Sequence, residues 1–377
     1  MTLEEHTKAL DVEVDNYQNT VMALRAFANE ILWDDTKRVI ADGSVHCGRR
    51  FTTSRKNKHT KNGSVTPDLA VIPAKNTAVV AEAKFGYEKS PADFLKRVNE
   101  TVEQLEKYDD DLSGWPSRWK HRQPTTHDLV LLVNYEDAPR VRRELDERCK
   151  SGRFGVSRCL AIVSCATISR AGGGEWPTLE LRYGKLSDSD KTTKLENTIP
   201  IHPDKLALNP LISLVEMYDC PPPLPTMMDL VQRAVTTHLT PDEQETYNID
   251  GQVDKTVKIK DLCQWLSDYA FPKSDERDPY VPKECWLTPA IEGLIQIQWA
   301  EAGKDNNTFV YRHRRARRGC NKPLSRFVEA CAKQQTEVEE KALGKQRKLE
   351  EKSARDRERL KQEFPLLAPQ IDKGQKL

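Results

Sequence analysis

The segments Thr66-Pro67-Asp68-Leu69-Ala70-Val71-Ile72 and Ala78-Val79-Val80-Ala81-Glu82-Ala83-Lys84 decide the reading of this chain. Each is a short apolar run with ionisable residues at one end, the pattern of a buried β-strand. Side chains alternate along a strand, so Glu82 and Lys84 share one face while Ala83 takes the other. If the two strands pair as a hairpin, Asp68 joins them on that face. Two carboxylates and an ammonium group are then held together on rigid elements, an arrangement suited to metal-dependent phosphodiester hydrolysis.

Working outward, Asp15 to Trp33 reads as a helix with two apolar stripes. Tyr17, Val21, Leu24, Ala28 and Ile31 form one, and Ala23, Ala26, Phe27 and Trp33 the other. Glu30 lies within the second stripe and needs a partner there, an arginine being the simplest, because a buried unpaired charge is costly. Gly43 to Pro67 is basic and free of acids. Its first part, Ser44 to Thr52, is a candidate strand, and its second is a polar loop ending in the turn signal Asn62-Gly63. Downstream, Ser90-Pro91-Ala92-Asp93 is a helix start with a possible capping box. The helix it opens carries Phe94, Leu95, Val98, Val102 and Leu105 on one face, with Arg97, Gln104 and Tyr108 on an adjacent polar stripe. His127 to Tyr135 contains Leu129-Val130-Leu131-Leu132-Val133, a continuous apolar run expected of a central, doubly covered strand. Asp137 to Lys150 reads as a helix, Cys159 to Ser164 as a buried strand and Thr178 to Tyr183 as an edge strand.

This order implies an α/β protein whose sheet is flanked by helices on both faces. The Pro221-Pro222-Pro223 stretch falls in a proline-rich boundary region, giving a division into 1–204, 205–320 and 321–377. The middle part is mainly helical, with helices expected over Met227 to Leu239, Val257 to Tyr269 and, capped by Thr288-Pro289, on to Ala300. A Gly303–Asn307 turn and a Phe309-Val310-Tyr311 strand follow, so the element order resembles a winged helix. From Glu337 onward the chain is charged, and like-charge pairs such as Lys341 with Lys345 and Arg355 with Arg359 argue against a strong isolated helix.

Pro67-Asp68 followed by Glu82-Ala83-Lys84, inside a helix-strand-strand-strand-helix-strand order, resembles the PD-(D/E)XK nuclease superfamily, the restriction-endonuclease-like fold, over Asp15 to Ser164. The resemblance implies a Mg2+ site, with Mn2+ as a substitute, held by Asp68, Glu82 and the Ala83 backbone carbonyl. Lys84 would orient the attacking water. The glutamate that such proteins often carry on the first helix corresponds to Glu30. Gln104 and Tyr108 match the QxxxY spacing of RecB-like exonuclease domains, and either could orient Lys84 or a phosphate. The implied function is hydrolysis of DNA, endonucleolytic rather than exonucleolytic, in prokaryotic defence or mobile-element processing.

Bulk charge is nearly balanced, 59 basic against 58 acidic residues, so composition alone announces no polyanionic partner. Two acid-free clusters do. One holds Arg49, Arg50, Arg55, Lys56 and Lys58, and the other Arg314, Arg315, Arg317 and Arg318; both are candidate duplex-binding surfaces. No GxxxxGK[ST] loop is present, so any motor would come from a separate helicase or ATPase subunit. The nine cysteines form no CxxC pair and read as reduced packing thiols. With no signal pattern and no bilayer-length apolar run, the chain reads as cytoplasmic and without a membrane partner. The competing reading is a nuclease fold kept as a non-catalytic nucleic-acid scaffold or adaptor.

Overall fold

The computed structural model describes residues 1–34, 39–40, 43–53, 63–73, 77–86, 90–115, 124, 126–169, 175–197, 199–201, 221–270, 282–305, 307–314 and 323–363. The chain divides into two compact units, Met1–Val12 with Asn321–Leu377, and Glu13–Cys320.

Helix α1 (Leu3–Leu32) begins well before the expected Asp15. Leu24, Ala26, Phe27 and Ala28 are all fully enclosed, so both apolar stripes are covered. A short ribbon of β1 (Trp33–Asp34) and β2 (Val39–Ile40) follows. The strand expected over Ser44 to Thr52 is two strands, β3 (Gly43–Cys47) and β4 (Phe51–Thr53), separated where Gly48 takes a left-handed φ of 62°. After β5 (Ser64–Val65) come β6 (Leu69–Pro73) and β7 (Ala78–Lys84), which pair antiparallel with Leu69 opposite Ala81.

Next are α2 (Pro91–Tyr108), β8 (Leu112–Ser113), β9 (His127–Asn134), α3 (Ala138–Lys150), β10 (Leu160–Ser169), β11 (Glu175–Gly184), α4 (Ser189–Glu196) and β12 (Ile199–Pro200). Ser90 does precede α2, but its side chain makes no capping bond, so the expected capping box does not form. The principal sheet has seven strands in the order β12-β11-β10-β9-β7-β6-β3. β9 runs parallel to both β7 and β10, and the remaining pairings are antiparallel. It is a mixed sheet flanked by helices. β11 is not an edge, because the two-residue β12 pairs outside it at Leu179 and Thr178, a strand too short to register in a sequence pattern.

One face of this sheet carries two adjoining cores. In the first, Phe94, Val98 and Leu105 of α2 and Val141 and Leu145 of α3 pack on Leu131, Val133 and Ile162. In the second, the small sheet β5-β4-β8 contributes Phe51, Val65 and Leu112, which with Tyr108 cover Ala70, Val80 and Leu129. On the opposite face, Ala23 and Ala26 of α1 share a cavity of about 120 Å³ with Phe85, Cys165 and Leu179.

The remainder of this unit comprises α5 (Leu224–Thr237), α6 (Pro241–Asp250), β13 (Gln252–Lys258), α7 (Ile259–Ala270), α8 (Glu284–Gln296), β14 (Ala300–Ala302) and β15 (Thr308–Arg314). Its antiparallel sheet has the order β13-β15-β14. Helix α8 starts at Glu284, and Pro289 is internal rather than a first-turn residue. α6 lies outside the expected elements, and β13 takes Val257 and Lys258, where the helix was expected to begin; α7 starts at Ile259 instead. In β13, Val253, Lys255 and Val257 point inward, and the buried Lys255 hides the alternation while pairing with Glu243 at 2.6 Å.

In the other unit, α9 (Pro323–Glu363) is a helix, and its start is packed rather than isolated. Its first turns bury Phe327, Val328, Cys331 and Ala332. Farther on, favourably ordered contacts offset the repulsions, Glu351 with Arg355 at 4.0 Å and Gln346 with Glu350 at 2.9 Å. Among the described residues no helix is long and apolar enough to cross a membrane.

At the end of β11, Gly184 has φ +75°, and a Cβ there would lie 1.8 Å from the Leu160 carbonyl oxygen. Gly184→Ala is expected to destabilise the protein by about 2–4 kcal/mol, combining left-handed strain with a backbone clash. A chemical-denaturation midpoint equal to that of the parent protein would contradict this.

Candidate active site

The site is built by register. Because β6 and β7 are antiparallel with Leu69 against Ala81, Asp68 is carried opposite Glu82, on the face shared by Ala70 and Val80. The Asp68 Oδ2 accepts the Ala83 backbone N–H at 2.8 Å, which fixes the carboxylate against the neighbouring strand. Glu82 is 3% exposed and Asp68 8%, so both charges lie at the seam between the two cores.

Three donors hold this pair of acids in place. Lys84 Nζ donates to Glu82 Oε1 at 2.6 Å, and the Tyr108 hydroxyl donates to Glu82 Oε2 at 2.7 Å. Burial pulls the Lys84 pKa down, but Glu82 and Asp68 outweigh it and the net shift is upward, so Lys84 is a cation at neutral pH. Arg97, about three turns before Tyr108 on the same stripe of α2, donates to the Phe85 carbonyl at 3.1 Å and acts on Lys84 as a neighbouring like charge. Cys47 of β3, opposite Leu69 of β6, has its thiol pushed well above the ordinary range by burial and by the Asp68 charge, so it stays protonated.

Tyr108 is itself anchored. His127 Nε2 lies 2.7 Å from the Tyr108 backbone carbonyl, which can only accept, so the proton sits on that nitrogen. This residue was not legible as part of the site, since no spacing links the first residue of a strand to a helix end.

The other expected residues fall in three groups. Gln104 is half-buried one turn before Tyr108. Glu30 does not join Asp68 and Glu82; it pairs with Lys194 of α4 at 2.6 Å, a lysine where an arginine was the simplest expectation. Lys191, one turn earlier, donates to the Glu30 and Trp33 carbonyls at 3.1 and 2.6 Å, capping a helix end that has no basic residue of its own. Arg49 donates to the Gly114 carbonyl and Arg50 to Ser64 Oγ, so both brace the small sheet. Arg314 ends β15 opposite Gln252. Arg55, Lys56, Lys58, Arg315, Arg317 and Arg318 lie outside the described residues.

As a donor set, Asp68, Glu82 and the Ala83 carbonyl offer hard oxygen ligands, the chemistry that magnesium requires. Among the described residues, no group of three or more His, Cys, Asp and Glu side chains converges as a metal cage. A divalent ion held here would therefore keep several waters.

Two outcomes are expected from these contacts. Tyr108→Phe should cost about 1–3 kcal/mol in equilibrium unfolding, because Glu82 loses a buried donor. His127 has its pKa lowered to about 4, chiefly by burial, from an ordinary 6.5. The unfolded chain thus binds a proton that the folded one refuses, and stability falls as pH drops from 6.5 toward 4, by up to about 3 kcal/mol. His127→Gln should remove this part of the slope in pH-dependent denaturation.

No protein-family model, no curated protein and no solved structure matches this chain.

Proposed function

We propose that the protein is a metal-dependent nuclease of the restriction-endonuclease-like, PD-(D/E)XK type, hydrolysing phosphodiester bonds in DNA. The observation that carries this reading is the convergence of Asp68, Glu82 and Lys84 from adjacent antiparallel strands, with Asp68 locked to the Ala83 N–H and Lys84 to Glu82. The mixed sheet with helices on both faces supports the same fold reading. Mg2+, or Mn2+, is the cofactor the oxygen donors suit.

Asp68 and Glu82 would hold that cation, with the Ala83 carbonyl as a further ligand. When bound, the cation supplies Lewis-acid polarisation of the phosphate and a more acidic water. Lys84, kept protonated, contributes a donor and a positive charge where negative charge develops on the phosphoryl oxygens. Tyr108 holds Glu82 in one orientation so that little rearrangement is needed at the moment of reaction. Gln104, one turn before Tyr108 on the same face of α2, would orient a phosphate oxygen.

In residues 224–314, the order of helices and strands, with β15 between β13 and β14, supports a winged-helix reading and a nucleic-acid- or partner-binding role. A separate helicase or ATPase subunit and a role in prokaryotic defence or mobile-element processing belong to the same proposal by analogy only.

One observation favours the scaffold alternative. Both Glu82 oxygens already have protein partners, an arrangement that would serve equally to neutralise a buried acid in a protein that binds without cutting. Supercoiled plasmid and linear duplex, each incubated with Mg2+ or with chelator, separate the two readings. Metal-dependent cutting is expected, with Lys84→Ala lowering the rate by about 10²–10³-fold. Binding without cutting by the parent protein would support the scaffold, and the plasmid-to-linear contrast reports endonuclease against exonuclease action.

A further inference from the structure

The row of the sheet that contains Lys84 continues across three more strands. Lys84 pairs with Val133 of β9, Val133 with Ser164 of β10, and Ser164 with Glu180 of β11, all in direct register. Residues in register share a face, so this row lies beneath α3, whose Val141 packs with Val133 in the same core. Arg182 of β11 reaches back to the row, donating to Ser164 Oγ at 3.0 Å and pairing with Glu180 at 2.7 Å.

Above the row, the start of α3 forms one wall of a groove of about 340 Å³ lined by Pro139, Arg142, Arg143, Asp146 and Arg182. Its charges are unequal in availability. Arg182 is committed to Glu180, and Asp146 lies against Tyr183, whose hydroxyl pKa is raised by burial and by that carboxylate. Arg142 and Arg143 are exposed, and neither has an ion-pair partner among the described residues; Arg142 only faces the Tyr183 ring, 5.7 Å away. On the same helix Arg148 is tied to Glu144 at 2.9 Å, so open guanidinium groups are not the rule there.

Successive helical residues diverge by about 100° around the axis, so Arg142 and Arg143 cannot close on one small anion. They present two cations to two successive groups of an extended polyanion. From β7 to β11 is roughly 14 Å at strand spacing, which spans about four nucleotides of one strand at its ~3.4 Å rise.

We propose that Arg142 and Arg143 hold backbone phosphates of a nucleic-acid strand that runs from Lys84 across the start of α3. This rests on the nuclease reading above for the direction of the strand, but the contact itself is a separate property. It adds a phosphate surface on the catalytic face that the two acid-free clusters do not supply.

The test uses the full-length chain with Lys84→Ala to prevent cutting, Mg2+ present, and a fluorescein-labelled 24-base-pair duplex and its single strand as probes. Arg142→Ala/Arg143→Ala is expected to weaken binding on the order of tenfold and to lower the slope of log K against log salt by about two. Arg148→Ala, the paired control, should leave the slope unchanged. An unchanged slope in the double variant overturns the groove proposal, whatever the plasmid assay shows. A reduced slope in a protein whose cutting ignores Lys84→Ala supports the groove and overturns the catalytic reading instead. Absence of binding to either probe by the parent overturns both.

Discussion

Two buried carboxylates at the junction of β6 and β7 set the terms for the surrounding structure. Asp68 and Glu82 lie in a part of the sheet where the adjacent residues are valine, leucine and alanine, and an uncompensated charge there would cost several kcal/mol. A set of neighbouring polar contacts answers that constraint. The Ala83 N–H serves Asp68, Lys84 and Tyr108 serve Glu82, and His127 fixes the helix end from which Tyr108 reaches. The antiparallel register places the two acids together, and the closing of α2 over the sheet supplies the hydroxyl. The arrangement is stable because it is neutralised locally, and it is chemically useful because its groups are acids and a cation held on strands rather than loops.

Much of this was legible because it depends on local pattern. The apolar runs Leu69–Ile72 and Ala78–Ala81 identify their strands, the alternation puts Glu82 and Lys84 on one face, and Leu129–Val133 marks the centre of the sheet. What was not legible depends on contacts between distant segments. Nothing near Glu30 in sequence announces Lys194 as its partner, and nothing near His127 announces the Tyr108 carbonyl. β13 was missed for a different reason. Its inward Lys255 imitates a solvent-facing residue until Glu243 is seen beside it. In α9 the attractive pairs Glu351–Arg355 and Gln346–Glu350 stand beside the like-charge ones, so charge spacing alone does not decide its length.

Charge in this protein is better described by commitment than by count. Arg49, Arg50, Arg148 and Arg182 are engaged in bracing carbonyls, hydroxyls and acids. Basic residues that stand out in a sequence because acids are absent nearby can still be structural, as Arg49 and Arg50 are. Arg142 and Arg143 were hidden by Glu144, Asp146 and Glu147 in the same helix, yet they are exposed while Glu144 pairs with Arg148 and Asp146 lies against Tyr183.

The lysine cap on α1 carries a consequence for how the chain is made. The last carbonyls of that helix are satisfied by Lys191, 161 residues away from Glu30. During synthesis at ~5–20 residues per second, roughly ten to thirty seconds pass before that lysine exists outside the ribosome. For that interval α1 has two apolar stripes, an uncapped end and a glutamate awaiting its ammonium. Until then the apolar stripes of α1 must be kept from other chains by something other than their final partners, although they end among the enclosed residues of the protein.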